Sequence, residues 1–513
     1  MNGNDTASIR QKIGLLAGIP LFLLILLLPL SNTLEPIAQH TLAVAILMAW
    51  WWITEAIPIP ATALIPVLAF PILKVLSLKE VVPSYGDSNI FLFMGGFFLA
   101  MAIQKWNLHR RIALHIIRIV GSGPHKIILG FMVATAFLSM WISNTATTMM
   151  MFPIGMAVIV QISRLLENSN NLDQKNLKSF QIALMLGIAY AASIGGIGTK
   201  IGTPPNIVFA GAVRTLFPGA PEISFLQWIG VGLPLVLIFL PLTWILLTRV
   251  LQPVNLPGLQ DSSGIIEDEL KKLGKMNIGE RLVLLIFILT ALAWIFLKDI
   301  ELGAFTIPGW SNMLDIENHV NDATVAIGSA ILLFSIPVSL KKREFLLDWE
   351  WAIKIPWGIL LLFGGGIALA NGFKCSGLAG WIGGHLGLLS HMPLIIMIMA
   401  ICFLLTFLTE LTSNTATAAI FMPILAMTAM AMHIHPYLLM IPATISASCA
   451  FMLPIATPPN AIIFGSGCVT IPQMAKNGVV LNLIGVIIVT IITYLVAIPL
   501  FGIVLGQMPA WAH

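Results

Sequence analysis

"SNTATTMMMFPI" fills residues 143–154 and "SNTATAAIFMPI" fills residues 413–424, so one polar triplet recurs 270 residues on, each time inside a long apolar run. Its neighbours recur with it. "FLFMGGFFLA" (91–100) matches "LLFGGGIALA" (361–370) at the same offset, Ser139 answers Thr409, and "GTPPN" (202–206) is repeated as "ATPPN" (456–460). A chance pentapeptide does not bring such company, so the chain reads as a duplication. The divisions are a tail and first span over 1–36, a first repeat over 37–251, a polar linker over 252–279 and a second repeat over 280–508.

Only 9% of the 513 residues are charged and 58% are hydrophobic, whereas a soluble domain carries roughly a quarter charged residues. With a mean hydropathy of +0.96, the chain is an integral membrane protein, and its function lies within the bilayer. A net charge of +4 that is scattered along the chain indicates no nucleic-acid partner. Cys375, Cys402, Cys449 and Cys468 lie in apolar surroundings without CxxC spacing, which favours packing over metal or disulfide chemistry. The first apolar run, Ile13 to Leu30, has no small-residue cleavage site after it and reads as a retained span.

Eleven helical crossings are expected, near 13–30, 38–56, 61–78, 88–104, 180–213, 226–248, 280–298, 322–338, 355–372, 436–467 and 478–506. Two further apolar segments, 127–161 and 391–432, carry the triplets at their centres. Lys105, Arg110, Arg111, Arg118 and Lys126 precede the first, while Arg164, Lys175 and Lys178 follow it. Both of its ends are therefore expected on the cytoplasmic side, which makes it a re-entrant hairpin. Basic residues bracket the loops around 249–281 and 341–354, and the loop with Asp299, Glu301, Asp315, Glu317 and Asp322 is acidic. This places the N-terminus inside and the C-terminus outside the plasma (inner) membrane. Five crossings separate the hairpins, so they open to opposite faces. The fold class is an all-α polytopic membrane protein with an inverted-topology repeat, a device of secondary transporters.

Ser, Asn and Thr supply neutral oxygens for a hard cation, and their N–H and O–H groups can donate to a carboxylate. In each TPPN the prolines stop one helix and start the next, giving broken helices over 180–213 and 436–467. Each new helix presents a positive dipole end. Two hairpin tips and two breaks give four helix N-termini around one site, which suits an anion accompanied by cations. Glu410, opposite Met140 in the repeat, reads as a structural pairing residue, with tuning of a cation site or proton carriage as the alternative. Glu55 reads as an interfacial residue, and His433 and His435 as loop residues. No nucleophile–base pair or HExxH motif points to an enzyme.

The doubled SNT and TPPN, with "GGGIALA" and "CAFMLPIATPPNAIIFGSG" in the second half, resemble the divalent anion/sodium symporter family over essentially the whole chain. The resemblance implies a homodimer in which a transport domain slides past a scaffold domain as an elevator, with each domain assembled from both repeats. It implies one sodium site at Ser139, Ser143, Asn144 and Gly202 and a second at Thr409, Ser413, Asn414 and Ala456. Substrate carboxylates would meet Asn144, Thr145, Asn414 and Thr415, with Pro458 close by. Two or more Na+ would be coupling ions, with no prosthetic group. Lys200 departs from the family's apolar residue two positions before Gly202: either its ammonium replaces a sodium, or its stem snorkels into a water-filled vestibule. The expected function is sodium-coupled import of dicarboxylates such as succinate, fumarate or malate. The alternatives are a sodium-independent dicarboxylate or citrate exchanger and an anion channel.

Overall fold

The computed structural model describes residues 9–28, 33–121, 123–168, 174–256, 263–302, 305–378, 380–382 and 392–512. Tail residues 1–8, the end of the expected first span at 29–30, linker residues 257–262 and position 391 of the second hairpin lie outside the described residues.

The first half contains α1 (Ile9–Leu27), α2 (Pro36–Thr54), α3 (Ile59–Thr62), α4 (Ile65–Ile72), α5 (Leu78–Val81), α6 (Ser88–Lys105), α7 (Leu108–Val120), α8 (Pro124–Ser139), α9 (Asn144–Asn168), α10 (Gln174–Ile197), α11 (Pro204–Leu216) and α12 (Phe225–Ile245). The linker forms α13 (Ser263–Leu273). The second half contains α14 (Ile278–Ile295), α15 (Trp310–Met313), α16 (Asp322–Ser335), α17 (Trp349–Ala352), α18 (Trp357–Cys375), α19 (Leu394–Leu408), α20 (Asn414–Ala431), α21 (Tyr437–Ser446), α22 (Pro458–Phe464), α23 (Ile471–Ile492) and α24 (Ile498–Leu500). Two-stranded hairpins, β1 (Ile300–Leu302) with β2 (Phe305–Ile307) and β3 (Pro337–Ser339) with β4 (Glu344–Phe345), decorate the loops.

Side chains start these helices where the sequence supplies caps. Asp87 accepts from Asn89 N at the head of α6, Ser224 and Gln227 form a capping box on α12, and Thr470 with Gln473 does the same for α23. Among the described residues, ten helices are long and apolar enough to cross a membrane, and five shorter apolar helices accompany them. The expected span at 61–78 is instead two short helices: Pro60, Pro66 and Pro71 interrupt it and Lys74 adopts a left-handed φ of 57°. Large apolar side chains such as Leu68, Leu237, Ile331 and Leu495 face outward, as a lipid-facing belt requires.

Contacts between loops define two faces. On one, Trp244 Nε1 donates to His125 O at 2.9 Å, Lys105 Nζ to Asp348 Oδ2 at 2.7 Å and Arg111 Nε to Glu280 Oε2 at 2.8 Å, uniting the start of α8, the ends of α6 and α12 and the start of α14. On the other, Trp511 packs against Phe217, His435 and Tyr437, uniting the end of α11, the start of α21 and the chain's last turn. The hairpin α8–α9 thus enters from the first face and α19–α20 from the second. The basic stretch before the first hairpin folds as amphipathic α7, where Arg110 and Arg118 pair with Glu269 and Glu267 of α13.

Two groups of helices are distinguishable, with α18 in contact with both: α6, α14 and α16 pack on one another, α8–α12 pack with α19–α23, and α18 lies on α2 and α6 as well as on α11 and α20. The duplicated glycines sit between these groups. A Cβ at Gly95 would overlap Ala326 of α16 and one at Gly365 would overlap Ala63, just after α3, while Gly96 and Gly366 face Ile201 and Ala419 of the second group.

His435 is buried against the Tyr437 and Trp511 rings rather than lying in an open loop, and burial pushes its imidazole down to about 4. The folded state therefore favours neutral His435, and its contribution is complete above the ordinary value near 6.5. As pH falls from there towards 4, stability is lost by at most about 1.4 kcal/mol per unit. Melting of purified protein across pH 7 to 4 should show this slope, and His435→Phe should flatten it; equal slopes in both proteins would refute the assignment.

Candidate functional site

Each hairpin tip is a helix end, a short turn and a new helix start. In the first, α8 ends at Ser139 and α9 begins at Asn144; in the second, α19 ends just before Thr409 and α20 begins at Asn414. Each break follows the same plan, with 198–203 separating α10 from α11 and 447–457 separating α21 from α22. Paired prolines occupy the first two positions of both α11 and α22.

The structure brings Ser139, Asn144 and Gly202 together. Ser139 Oγ lies 2.7 Å from Asn144 Oδ1 and 2.7 Å from Ala192 O. One hydroxyl proton can serve only one of these contacts. Turned over, the Asn144 amide could donate to Ser139 Oγ, Ala192 O and Gly202 O at 2.7–3.2 Å. In the orientation found, four oxygens crowd one point, an arrangement that a hard cation satisfies; turned over, the amide satisfies the same contacts by hydrogen bonding. Close approach here depends on glycine: a Cβ at Gly196 would overlap Asn144 Oδ1, and one at Gly202 would overlap Gly196 O.

The second half repeats this chemistry. Thr409 Oγ1 lies 2.7 Å from Asn414 Oδ1 and 3.0 Å from Ala447 O, again with one proton for two acceptors. Ala456 N donates to Leu453 O as Gly202 N donates to Thr199 O. Ser143 and Ser413 are half-buried beside these clusters; Ser143 Oγ accepts from Ala146 N at 3.3 Å and so caps α9. Thr145 is half-buried, Thr415 buried, and Pro458 exposed at the first turn of α22.

Two residues of the repeated motifs carry a role the sequence reading did not give them. Asn206 Nδ2 donates to Gly196 O at 3.3 Å and Thr199 O at 2.8 Å, and Asn460 Nδ2 to Ala450 O at 3.2 Å and Leu453 O at 3.0 Å. Each thus ties both sides of its break together, ten and seven residues back. Their buried Oδ1 atoms and the buried Oγ atoms of Ser193 and Ser448 have no hydrogen-bond partner among the described residues.

The breaks pack crosswise: α11 lies on α20 of the second hairpin, and α22 on α9 of the first. Glu410 fixes the second break directly. Its Oε1 accepts from Phe451 N at 2.7 Å, Met452 N at 2.9 Å and Asn482 Nδ2 at 2.7 Å, and its Oε2 from Leu453 N at 3.0 Å. The first half uses a different tie, from Thr199 Oγ1 to Met140 O. Lys200 does not join the oxygens around Asn144: its ammonium is buried, paired with Asp322 at 2.9 Å, and at the edge of a polar cavity. Asp322, expected in an exposed acidic loop, is buried for the same reason.

Inverted halves, re-entrant tips and broken helices meeting at one place define a secondary transporter. The comparisons with known proteins give the family. The model of the sodium:sulfate symporter transmembrane region matches residues 10–503, and the chain belongs to this family, the divalent anion/sodium symporters. It is 42% identical over 505 residues to the sodium-dependent dicarboxylate transporter SdcS of Staphylococcus saprophyticus, covering 98% of this chain and 95% of that one. It is 45% identical over 501 residues to SdcS of Staphylococcus aureus strain NCTC 8325, covering 98% and 94%. Among solved structures, the Alcanivorax borkumensis YdaH transporter shares the fold, with a TM-score of 0.54 at 14% identity over 81% of this chain and 88% of that one.

Proposed function

We propose that this transporter imports four-carbon dicarboxylates such as succinate, fumarate or malate together with sodium. The observation that carries the reading is the matched pair of oxygen clusters, at Ser139–Asn144–Gly202 and at Thr409–Asn414, in which one hydroxyl faces both an asparagine side-chain oxygen and a backbone carbonyl. Two such clusters offer two cation positions; the N-termini of α9 and α20 offer N–H donors for two carboxylates, and those of α11 and α22, which open with prolines, the positive ends of their dipoles. The names of the SdcS relatives agree with this choice of ion and substrate. Na+ is cargo here, carried at Ser139, Ser143, Asn144 and Gly202 and at Thr409, Ser413, Asn414 and Ala456. The anion is met by Asn144, Thr145, Asn414, Thr415 and Pro458.

A dianion is costly in hydrocarbon, so the cheaper route moves the loaded site as one body. The helices α8–α12 with α19–α23 form that transport domain, sliding as an elevator past a scaffold of α2, α6, α14, α16 and α18 in a homodimer. The face with α7 and α13 is cytoplasmic by its basic loops, which leaves the C-terminus external.

The buried ion pair of Lys200 with Asp322 speaks against an ammonium standing in for sodium, which was the ground for the sodium-independent exchanger. Proteoliposome uptake of labelled succinate distinguishes the readings. An inward sodium gradient should drive accumulation with no succinate inside. Equal exchange in choline and sodium buffers, requiring internal succinate, would instead establish the antiporter.

A further inference from the structure

Lys200 stands two residues before Gly202, and its two partners differ in kind. Its Nζ donates to Ile223 O at 2.7 Å and to Asp322 Oδ2 at 2.9 Å. Ile223 leads into α12, which packs on α8 and α10 and travels with the site; Asp322 opens α16, which packs on α6 and α14. Asp322 Oδ1 has no hydrogen-bond partner among the described residues, and Asn321 rather than Asp322 takes the first N–H groups of α16. Lys200 is the one cation paired with this carboxylate among the described residues.

The same boundary carries an aromatic seam. Trp141, two residues before Ser143, stacks on Trp294 at 6.5 Å, and Trp294 donates through Nε1 to Asp322 O at 2.9 Å. The hairpin tip, the first cation-site loop and the first turn of α16 therefore meet at one point. A cavity of about 200 Å³ beyond the end of α11 reaches Lys200 and is also lined by Asn89, Arg214, Glu222 and Asn321. Opening a buried ion pair is prohibitive when both charges stay dry. Here a polar cavity reaches Lys200 and Asn321, the residue before Asp322.

We propose that Lys200–Asp322 is a latch between the two bodies, closed in this position of the site and opened each time the site crosses. The proposal rests on the elevator reading above. When the bodies part, Lys200 keeps Ile223 O, is solvated through the cavity and moves with the site, while Asp322 stays on α16. The pair thus sets how long the carrier dwells at this end of its travel.

The test uses the Lys200→Leu/Asp322→Leu double variant in liposomes, which removes both charges without stranding either. Single cysteines at Met149 and Leu411, exposed residues of the two hairpins, replace the four native cysteines and are labelled from each side with impermeant thiol reagents. The double variant should shift the ratio of labelling between faces about tenfold and change the succinate exchange rate; Lys200→Leu alone should transport worse than the double variant. An unchanged ratio and rate in a folded double variant overturn the latch. If cysteines in the unsubstituted background label from one face under every ligand condition, the elevator reading itself fails and takes the latch with it. Should the double variant not fold, acylation of Lys200 in wild-type protein decides, read by mass spectrometry. Labelling that rises several-fold during turnover with sodium and succinate supports the latch, and labelling indifferent to both overturns it.

Discussion

Replacing Asn144 or Asn414 with Ala should nearly abolish succinate uptake while leaving a folded protein. Each side chain lies at a half-buried tip rather than in the core, so folding does not depend on it, yet under the proposed function each supplies an oxygen to a cation cluster and an amide for the anion. Loss of one hydrogen bond to a charged group costs roughly 1.5 to 3 kcal/mol, or about tenfold or more in affinity, and the lost cation ligand adds to that. Asn144→Asp separates the two roles. Its carboxylate still faces Ser139 and Ala192 and should preserve stabilisation by sodium, whereas its charge repels the dicarboxylate. Near-normal uptake by well-expressed Asn144→Ala protein would remove these residues from the site.

The second large effect concerns Glu410. Glu410→Ala strands the N–H groups of Phe451, Met452 and Leu453 and the amide of Asn482, at about 1–3 kcal/mol for each buried donor left unpaired. The second break should loosen, with a marked fall in melting temperature even without ligand. Glu410→Gln keeps a carbonyl oxygen for some of these donors and should lose less. If Glu410→Ala protein melts within about 2 °C of wild type, this carboxylate is no anchor. The corresponding Met140 has no such duty, so Met140→Ala should be mild by comparison.

Much of this fold was legible because duplication writes the same constraints twice. The SNT triplets mark both tips, the prolines of TPPN mark both breaks, and an odd number of crossings between them turns one half over. What escaped the reading is tertiary or depends on counting local breakers. Three prolines between 60 and 71 split an apolar stretch that hydropathy alone treats as one span. Asn206 and Asn460 were visible as the last letter of each motif, but only the folded chain shows their amides reaching back across the break. Lys200 was conspicuous as a charge in apolar sequence, while its partner lies 122 residues away, and nothing local points to it. Cys375, expected in packing, is exposed at the end of α18.

The crosswise seating of α11 on the second hairpin and α22 on the first limits how such a molecule can be divided. A gene fragment encoding the first half would make a broken helix lacking the hairpin it rests on and a hairpin lacking the helix that covers it. Two copies of that fragment inserted the same way up could not supply the missing pieces to each other, since both hairpins would enter from one face. Only fragments threaded in opposite senses could complement each other. Co-expressed halves should therefore recover the site when cut within the linker, and a half-length ancestor of this chain would have had to insert both ways up.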